Sequence, residues 1–166
     1  MLKQANIMIV GVGGQGTLLA SKLLGQLLLD EGYDVKVSEV HGMSQRGGSV
    51  VTYVRFGEKV YSPIIDLGEA DFILSFEALE AARWVGYLKQ GGTLITNNAE
   101  IWPMPVITGA AQYPADVVEK LSAKASVTAL DALALAREAG NIKAVNVVLI
   151  GLMAKNTDIP YEVWVD

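Results

Sequence analysis

The chain has 166 residues, enough for one domain to bury a substantial core, and its 13 Lys and Arg against 18 Asp and Glu give a formal net charge of −5. With the basic residues scattered, that balance excludes a nucleic-acid surface, which needs clustered Lys and Arg to neutralise phosphates. No cysteine and a single histidine exclude a disulfide, a thiolate zinc site and an iron–sulfur cluster ligated by this chain, so no metal site is expected.

The apolar runs are too short to cross a bilayer, and the N-terminus enters a strand without a basic region and cleavage site. No membrane association is expected and a cytoplasmic location follows. Hydrophobic residues make up 51% of the chain. Such a composition implies either an alanine- and valine-rich core or surface hidden against other subunits.

Ile7 to Val10 is a short, fully apolar run that fits a central parallel strand. It feeds Gly11-Val12-Gly13-Gly14-Gln15-Gly16 and then a predicted helix from Thr17 to Leu29. In that strand-turn-helix context the glycines permit positive φ and close backbone approach, while the helix N-terminus favours an anion. Gly11, Gly13, Gly14, Gln15 and Gly16 are therefore candidate cofactor-binding residues. Val35 to Val40 reads as the next strand, and Glu39 falls roughly 20 residues after the last glycine, where a dinucleotide fold places its ribose-binding acid.

The chain then departs from a simple dinucleotide fold. A second glycine-rich segment, His41-Gly42-Met43-Ser44-Gln45-Arg46-Gly47-Gly48-Ser49, leads into a β-rich run from Val50 to Phe56. A turn at Gly57-Glu58-Lys59 returning into Val60-Tyr61-Ser62 predicts a β-hairpin, an antiparallel insertion that would crowd an adenosine site.

Asp71 to Phe76 is a further apolar strand, followed by a helix from Ala78 to Leu88 and a strand from Thr93 to Thr96. Glu77, at the strand's carboxyl end, is either a ligand contact or an acid answering the helix dipole. Val106 to Thr108 reads as a short strand, Pro114 opens a helix from Ala115 to Leu121, and Val127 to Leu130 is the last strand. Asp131 caps a helix from Ala132 to Ala139 that Gly140 stops. The run from Ile142 to Lys155 is apolar on nearly every face, with Asn146 as its main polar interruption, so that helix is buried all round or clamped by a partner. A structural role for Asn146 is favoured over ligand contact.

In the second glycine segment, the Arg46 guanidinium beside Gly47 and Gly48 suits a phosphate or carboxylate, or an inter-subunit salt bridge. His41 near Glu39 suits acid–base work or packing against a neighbouring chain. Gly42, Ser44, Gln45 and Ser49 complete the candidate ligand loop, the serines serving as caps or donors, and Met43 fills an apolar gap. The expected fold is α/β: a Rossmann-like three-layer α/β/α arrangement with a mixed, mostly parallel sheet and a β-hairpin insertion.

G-V-G-G-Q-G, E-V-H-G-M-S-Q-R-G-G-S-V, Tyr61-Ser62-Pro63-Ile64-Ile65, Gly68-Glu69-Ala70-Asp71 and Glu77-Ala78-Leu79-Glu80-Ala81 together resemble the gamma subunit or domain of the 2-oxoacid:ferredoxin oxidoreductases, called the beta subunit in the indolepyruvate enzymes. The similarity runs in order from Asn6 to Pro160. Ala78 stands where that family usually has proline, and Asp166 comes before the family's C-terminal helix would finish, so a single gamma-type domain over 1–166 is expected, with or without that helix in the full protein. The resemblance implies a subunit of a complex that oxidatively decarboxylates a 2-oxoacid and yields an acyl-CoA. Thiamine diphosphate and iron–sulfur clusters would sit in partner subunits. Coenzyme A would be co-substrate, its phosphates approaching the glycine turns, and ferredoxin would be the acceptor, docking elsewhere because this chain is acidic. The alternatives are a stand-alone NAD(P)-binding oxidoreductase and a non-catalytic assembly scaffold.

Overall fold

The computed structural model describes residues 4–42, 47–157 and 159–165. A six-stranded sheet in the order β2-β3-β1-β4-β5-β6 forms its centre. The strands are β1 (Ala5–Val12), β2 (Asp34–His41), β3 (Ser49–Gly57), β4 (Ala70–Ser75), β5 (Leu88–Asn97) and β6 (Ser126–Leu130). β1, β4, β5 and β6 pair in parallel, and β3 runs antiparallel to both of its neighbours. The sheet is therefore mixed and mostly parallel, as expected.

Both faces are covered, which is why β1 is apolar from Ile7 to Val10. On one face Ile7 and Ile9 of β1 pack with Ala20, Leu24 and Leu28 of α1 (Thr17–Asp30), Ala132 of α5 (Ala132–Glu138), and Leu149 and Met153 of α6 (Val145–Ala154). On the other, Met8 and Val10 pack with Ala78 and Ala81 of α2 (Ala78–Trp84) and Val117 and Leu121 of α4 (Val117–Ser122). The period of two along β1 thus assigns alternate side chains to separate cores, giving three layers.

The hairpin forms elsewhere than expected. Residues 60–62 make no strand; β2 and β3 are the antiparallel pair, in register from Asp34 opposite Gly57 to His41 opposite Val50. β3 also pairs with β1 from Ala5 opposite Phe56 to Val12 opposite Ser49. The cause lies in β3 itself: Val51 and Tyr53 are buried in one core, Val54 and Phe56 in the other. A strand apolar on both faces belongs inside a sheet, whereas Tyr61 is 88% exposed. The consequence falls on Glu39, which is two strands from β1, about 9–10 Å at ordinary strand spacing, rather than beside it.

Other boundaries also move. The strand expected at Val106–Thr108 is the short helix α3 (Met104–Ile107), whose first turn follows Pro103. α2 ends at Trp84 in a 3-10 turn, and β5 starts at Leu88, passing Gly91 with a register shift against β4. Gly91 therefore sits within a strand. The apolar run after Asn141 divides into a 3-10 turn, Ile142–Ala144, and α6. Asn146, Leu149 and Met153 of α6 are buried, but Val147 is 56% exposed, so the helix is not enclosed all round. Asp131 caps α5 by accepting from Ala134 N at 2.9 Å, and Gly140 follows in the left-handed region at φ 82°. A last helix, α7 (Tyr161–Val165), follows Pro160.

Candidate functional site

The sheet changes direction between β1 and β4. β1 leads through α1 on one face, and β4 leads through α2 on the other. In open α/β sheets the crevice outside the carboxyl ends of two such strands is where ligands bind. Gly11 to Gly16 leave β1 at that point, and Phe76 and Glu77 leave β4.

Each member of the first glycine turn has its own physical task. A Cβ on Gly11 would come within 3.0 Å of Phe76 Cβ and Thr17 Cγ2, so only glycine fits between β1 and its neighbours. Gly13 is tied to the second glycine segment: its N–H donates to Gly48 O at 2.8 Å, and Gly47 N–H donates to Gly13 O at 3.4 Å. Gly14 and Gly16 take φ of 100° and 91°, conformations that side chains resist. Gln15 braces the turn, accepting from Val12 N at 2.7 Å and donating to Phe76 O at 3.0 Å. Gly16 is the N-cap of α1 and brings no side-chain cap, so the first-turn amides stay open to solvent or ligand.

The second segment is described only at its ends. Met43, Ser44, Gln45 and Arg46 lie outside the described residues, so the anion-binding reading of Arg46 rests on sequence. Ser49 opens β3, and its Oγ donates to Glu80 Oε2. Glu80, 4% exposed, also receives Arg83 Nε at 3.0 Å and Trp84 Nε1 at 3.3 Å. Glu80 thereby holds the start of β3 against α2.

Glu77 is 1% exposed and serves as the N-cap of α2. Its carboxyl group accepts from Glu80 N at 2.7 Å, Ile101 N at 3.1 Å and Tyr113 Oη at 2.6 Å. Burial first, and then the Glu77 hydrogen bond and charge, push the Tyr113 phenol above its usual range. Of the two expectations for Glu77, the structure displays the cap, extended into a clamp on residues 99–113. Glu80 and Tyr113 were not singled out from the sequence. The i, i+3 pair of acids opening α2 was the available signal for Glu80, while Tyr113 lies 36 residues from Glu77 and had none.

Three grooves open at this end of the sheet. The largest, about 560 Å³, lies between α1 and the β2–β3 pair and is lined by Gly14, Lys22, Glu39 and His41. Glu39 accepts from Thr52 Oγ1 at 3.4 Å, and His41 Nδ1 contacts Gly42 O at 3.0 Å, so the acid and the imidazole have different partners. A second groove, about 420 Å³, lies between the glycine turn and the start of α6 and includes Lys143 and Asn146. The third, about 380 Å³, runs from Gly47 and Ser49 past Arg83 to Trp102 and Met104. The exposed Trp102, Met104 and Ile107 give that groove an apolar rim.

Comparison with known proteins bears on the family and the fold. The indolepyruvate oxidoreductase subunit IorB of Thermococcus kodakarensis is 51% identical over 163 residues, covering 96% of this chain and 81% of that protein. The crystal structure of a keto/oxoacid ferredoxin oxidoreductase gamma subunit from Geobacter sulfurreducens superposes with a TM-score of 0.68 at 21% identity, covering 96% of this chain and 82% of that one. A 2-oxoglutarate:ferredoxin oxidoreductase from Magnetococcus marinus, with 2-oxoglutarate, coenzyme A and succinyl-CoA bound, gives 0.71 at 16% identity; the match covers 99% of this chain but 26% of that one. These two structural likenesses bear on the fold. Residues 6–166 match the pyruvate ferredoxin/flavodoxin oxidoreductase family along nearly the whole chain, and the protein belongs to that family.

Proposed function

We propose that the chain is a gamma-type subunit of a 2-oxoacid:ferredoxin oxidoreductase, of the kind called IorB in the indolepyruvate enzymes. In the assembled complex a 2-oxoacid is oxidatively decarboxylated, electrons pass to ferredoxin, and an acyl-CoA is formed. The carrying observation is the 51% identity to IorB over 96% of this chain. The direct bonding of Gly13 to Gly47 and Gly48, which ties the end of the second glycine segment to the first, supports a ligand-wall role within it.

With no cysteine, the chain offers no thiolate for an iron–sulfur cluster, so clusters and thiamine diphosphate belong to partner subunits and supply the redox and carbanion chemistry there. The residues of this chain bind and wall. The uncapped start of α1 and Arg46 receive anionic groups of coenzyme A or the 2-oxoacid. Glu77 and Glu80 fix the loops on either side, and the apolar rim at Trp102, Met104 and Ile107 meets a partner. The acidic charge sends ferredoxin to another subunit.

Native purification from the source cell tests this: mass spectrometry should find the thiamine-binding and cluster-bearing chains co-purifying, with iron in the complex. The complex should reduce a viologen dye with a 2-oxoacid and coenzyme A, and the isolated chain should not. A partner-free chain that performed the reaction would overturn the proposal.

A further inference from the structure

We propose that the groove between the starts of α1 and α6 is an oxyanion seat, taking a phosphoryl or carboxylate group on a ligand with an apolar body, with Asn146 and Lys143 as its side-chain donors. The proposal rests on the reading of the glycine turn as an anion site and decides which side of the turn the anion occupies.

The donors of the turn are already partly committed. Gly13 N–H is bound to Gly48 O, Gln15 N–H to Val12 O, and the Gln15 side-chain amide to Phe76 O. What remains open is the first turn of α1, a helix of 14 residues whose N-cap Gly16 carries no side-chain cap. Those amides and the helix dipole favour a negative group.

Asn146 is the independent observation. It is 5% exposed, and its Oδ1 accepts from Val147 N at 3.0 Å. Its Nδ2 donates to no acceptor among the described residues and keeps solvent access from the groove that Asn146 lines. The same Nδ2 stands beside the N-cap, since a Cβ placed on Gly16 would lie 3.7 Å from it. Asn146 therefore leaves an unused N–H donor beside the N-cap from which the helix amides emerge. Lys143, on the same groove, forms no ion pair among the described residues and adds a positive charge.

The competing grooves are less suited to an anion. The β2 side contains Glu39, and the side towards α2 contains Glu77 and Glu80. Among the described residues, the lining of the α6-side groove includes no carboxylate. Its remaining wall is apolar, from Phe76, Leu133, Ile142 and Val145, which sets the character of the ligand body. The seat lies across the turn from the crevice where a dinucleotide fold would use Glu39.

The test is calorimetry on the full chain with inorganic phosphate, coenzyme A and pyruvate as separate probes. Asn146→Asp keeps the acceptor for Val147 N and replaces the donor with an acid; affinity should fall about tenfold or more. Lys143→Gln, at an exposed position, should weaken binding by about two- to fivefold. Lys124→Gln removes the same charge beside Ser126 at the other end of the sheet and should leave affinity unchanged. Losses seen with phosphate and coenzyme A assign a phosphoryl group to the seat, and losses seen only with pyruvate assign a carboxylate. No binding of any probe at millimolar concentration overturns the proposal. So does binding that survives Asn146→Asp but is lost in Lys22→Gln, or that falls equally in Lys124→Gln and Lys143→Gln. Co-purification with partner subunits does not depend on this groove, so its outcome separates failure of the seat from failure of the subunit assignment.

Discussion

Tyr113 donates its hydroxyl to Glu77 Oε1 at 2.6 Å, fastening the segment after α3 to the cap of α2. The phenol is held above its ordinary range by burial and then by Glu77. A folded-state value above the unfolded one means the contribution is complete below about pH 10 and is lost as pH rises towards the folded value. Tyr113→Phe should lower unfolding free energy at pH 7 by about 1.5–3 kcal/mol, the worth of a hydrogen bond to a charged group. Urea titrations should show the gap between parent and variant narrowing above pH 10. Equal stability at pH 7 would show that the clamp contributes nothing.

Glu80 collects three donors, from Ser49, Arg83 and Trp84, in a buried position. Glu80→Ala leaves the hydroxyl and indole N–H without that acceptor and should destabilise by about 2–3 kcal/mol. A red shift of tryptophan emission should accompany it, as Trp84 Nε1 turns to water. An unchanged spectrum and melting point would mean that the network is not formed in solution.

The glycines should separate by mechanism. Gly16→Ala forces a side chain to φ 91° and should lose about 1–2 kcal/mol. Gly11→Ala drives a methyl group into Phe76 and Thr17 and should lose about 1–3 kcal/mol. Gly42→Ala, with no atom of the described residues within 4 Å of the added atom, should be close to neutral. Thermal melts of the three variants check this order.

NAD(H) should bind weakly or not at all. β3 separates Glu39 from β1, so although one groove touches both the acid and the glycine turn, they are set one strand further apart than a dinucleotide fold places them. Calorimetry showing micromolar NAD binding that disappears in Glu39→Ala would establish the stand-alone dehydrogenase instead.

Arg46 is predicted from its sequence setting to hold an anion in the assembled enzyme. Arg46→Ala should raise the apparent KM for coenzyme A or the 2-oxoacid by roughly 10- to 150-fold with the complex intact, and Arg46→Lys should recover part of the loss. Normal kinetics together with weakened assembly on size exclusion would make Arg46 a subunit contact.

Local chemistry by itself determined much of this protein. The uninterrupted apolar run at Ile7–Val10, the glycines after it and the helix-forming composition of Thr17–Leu29 specify strand, turn and helix, because each rests on neighbours in the chain. Asp131 as a cap and Gly140 as a stop were legible for the same reason. The partner of β3 was not: the run from Val50 to Phe56 shows a strand, but its place between β2 and β1 follows from having two cores to fill, which only packing reveals. The site divides in the same way. Gly14 and Gly16 were readable from the motif, whereas the tie between Gly13 and Gly48, the clamp from Glu77 to Tyr113 and the approach of Asn146 to Gly16 join residues 35 to 130 positions apart. Contacts at that separation leave no periodic trace in a sequence, since they are fixed by the order of strands and the faces to which their helices are assigned.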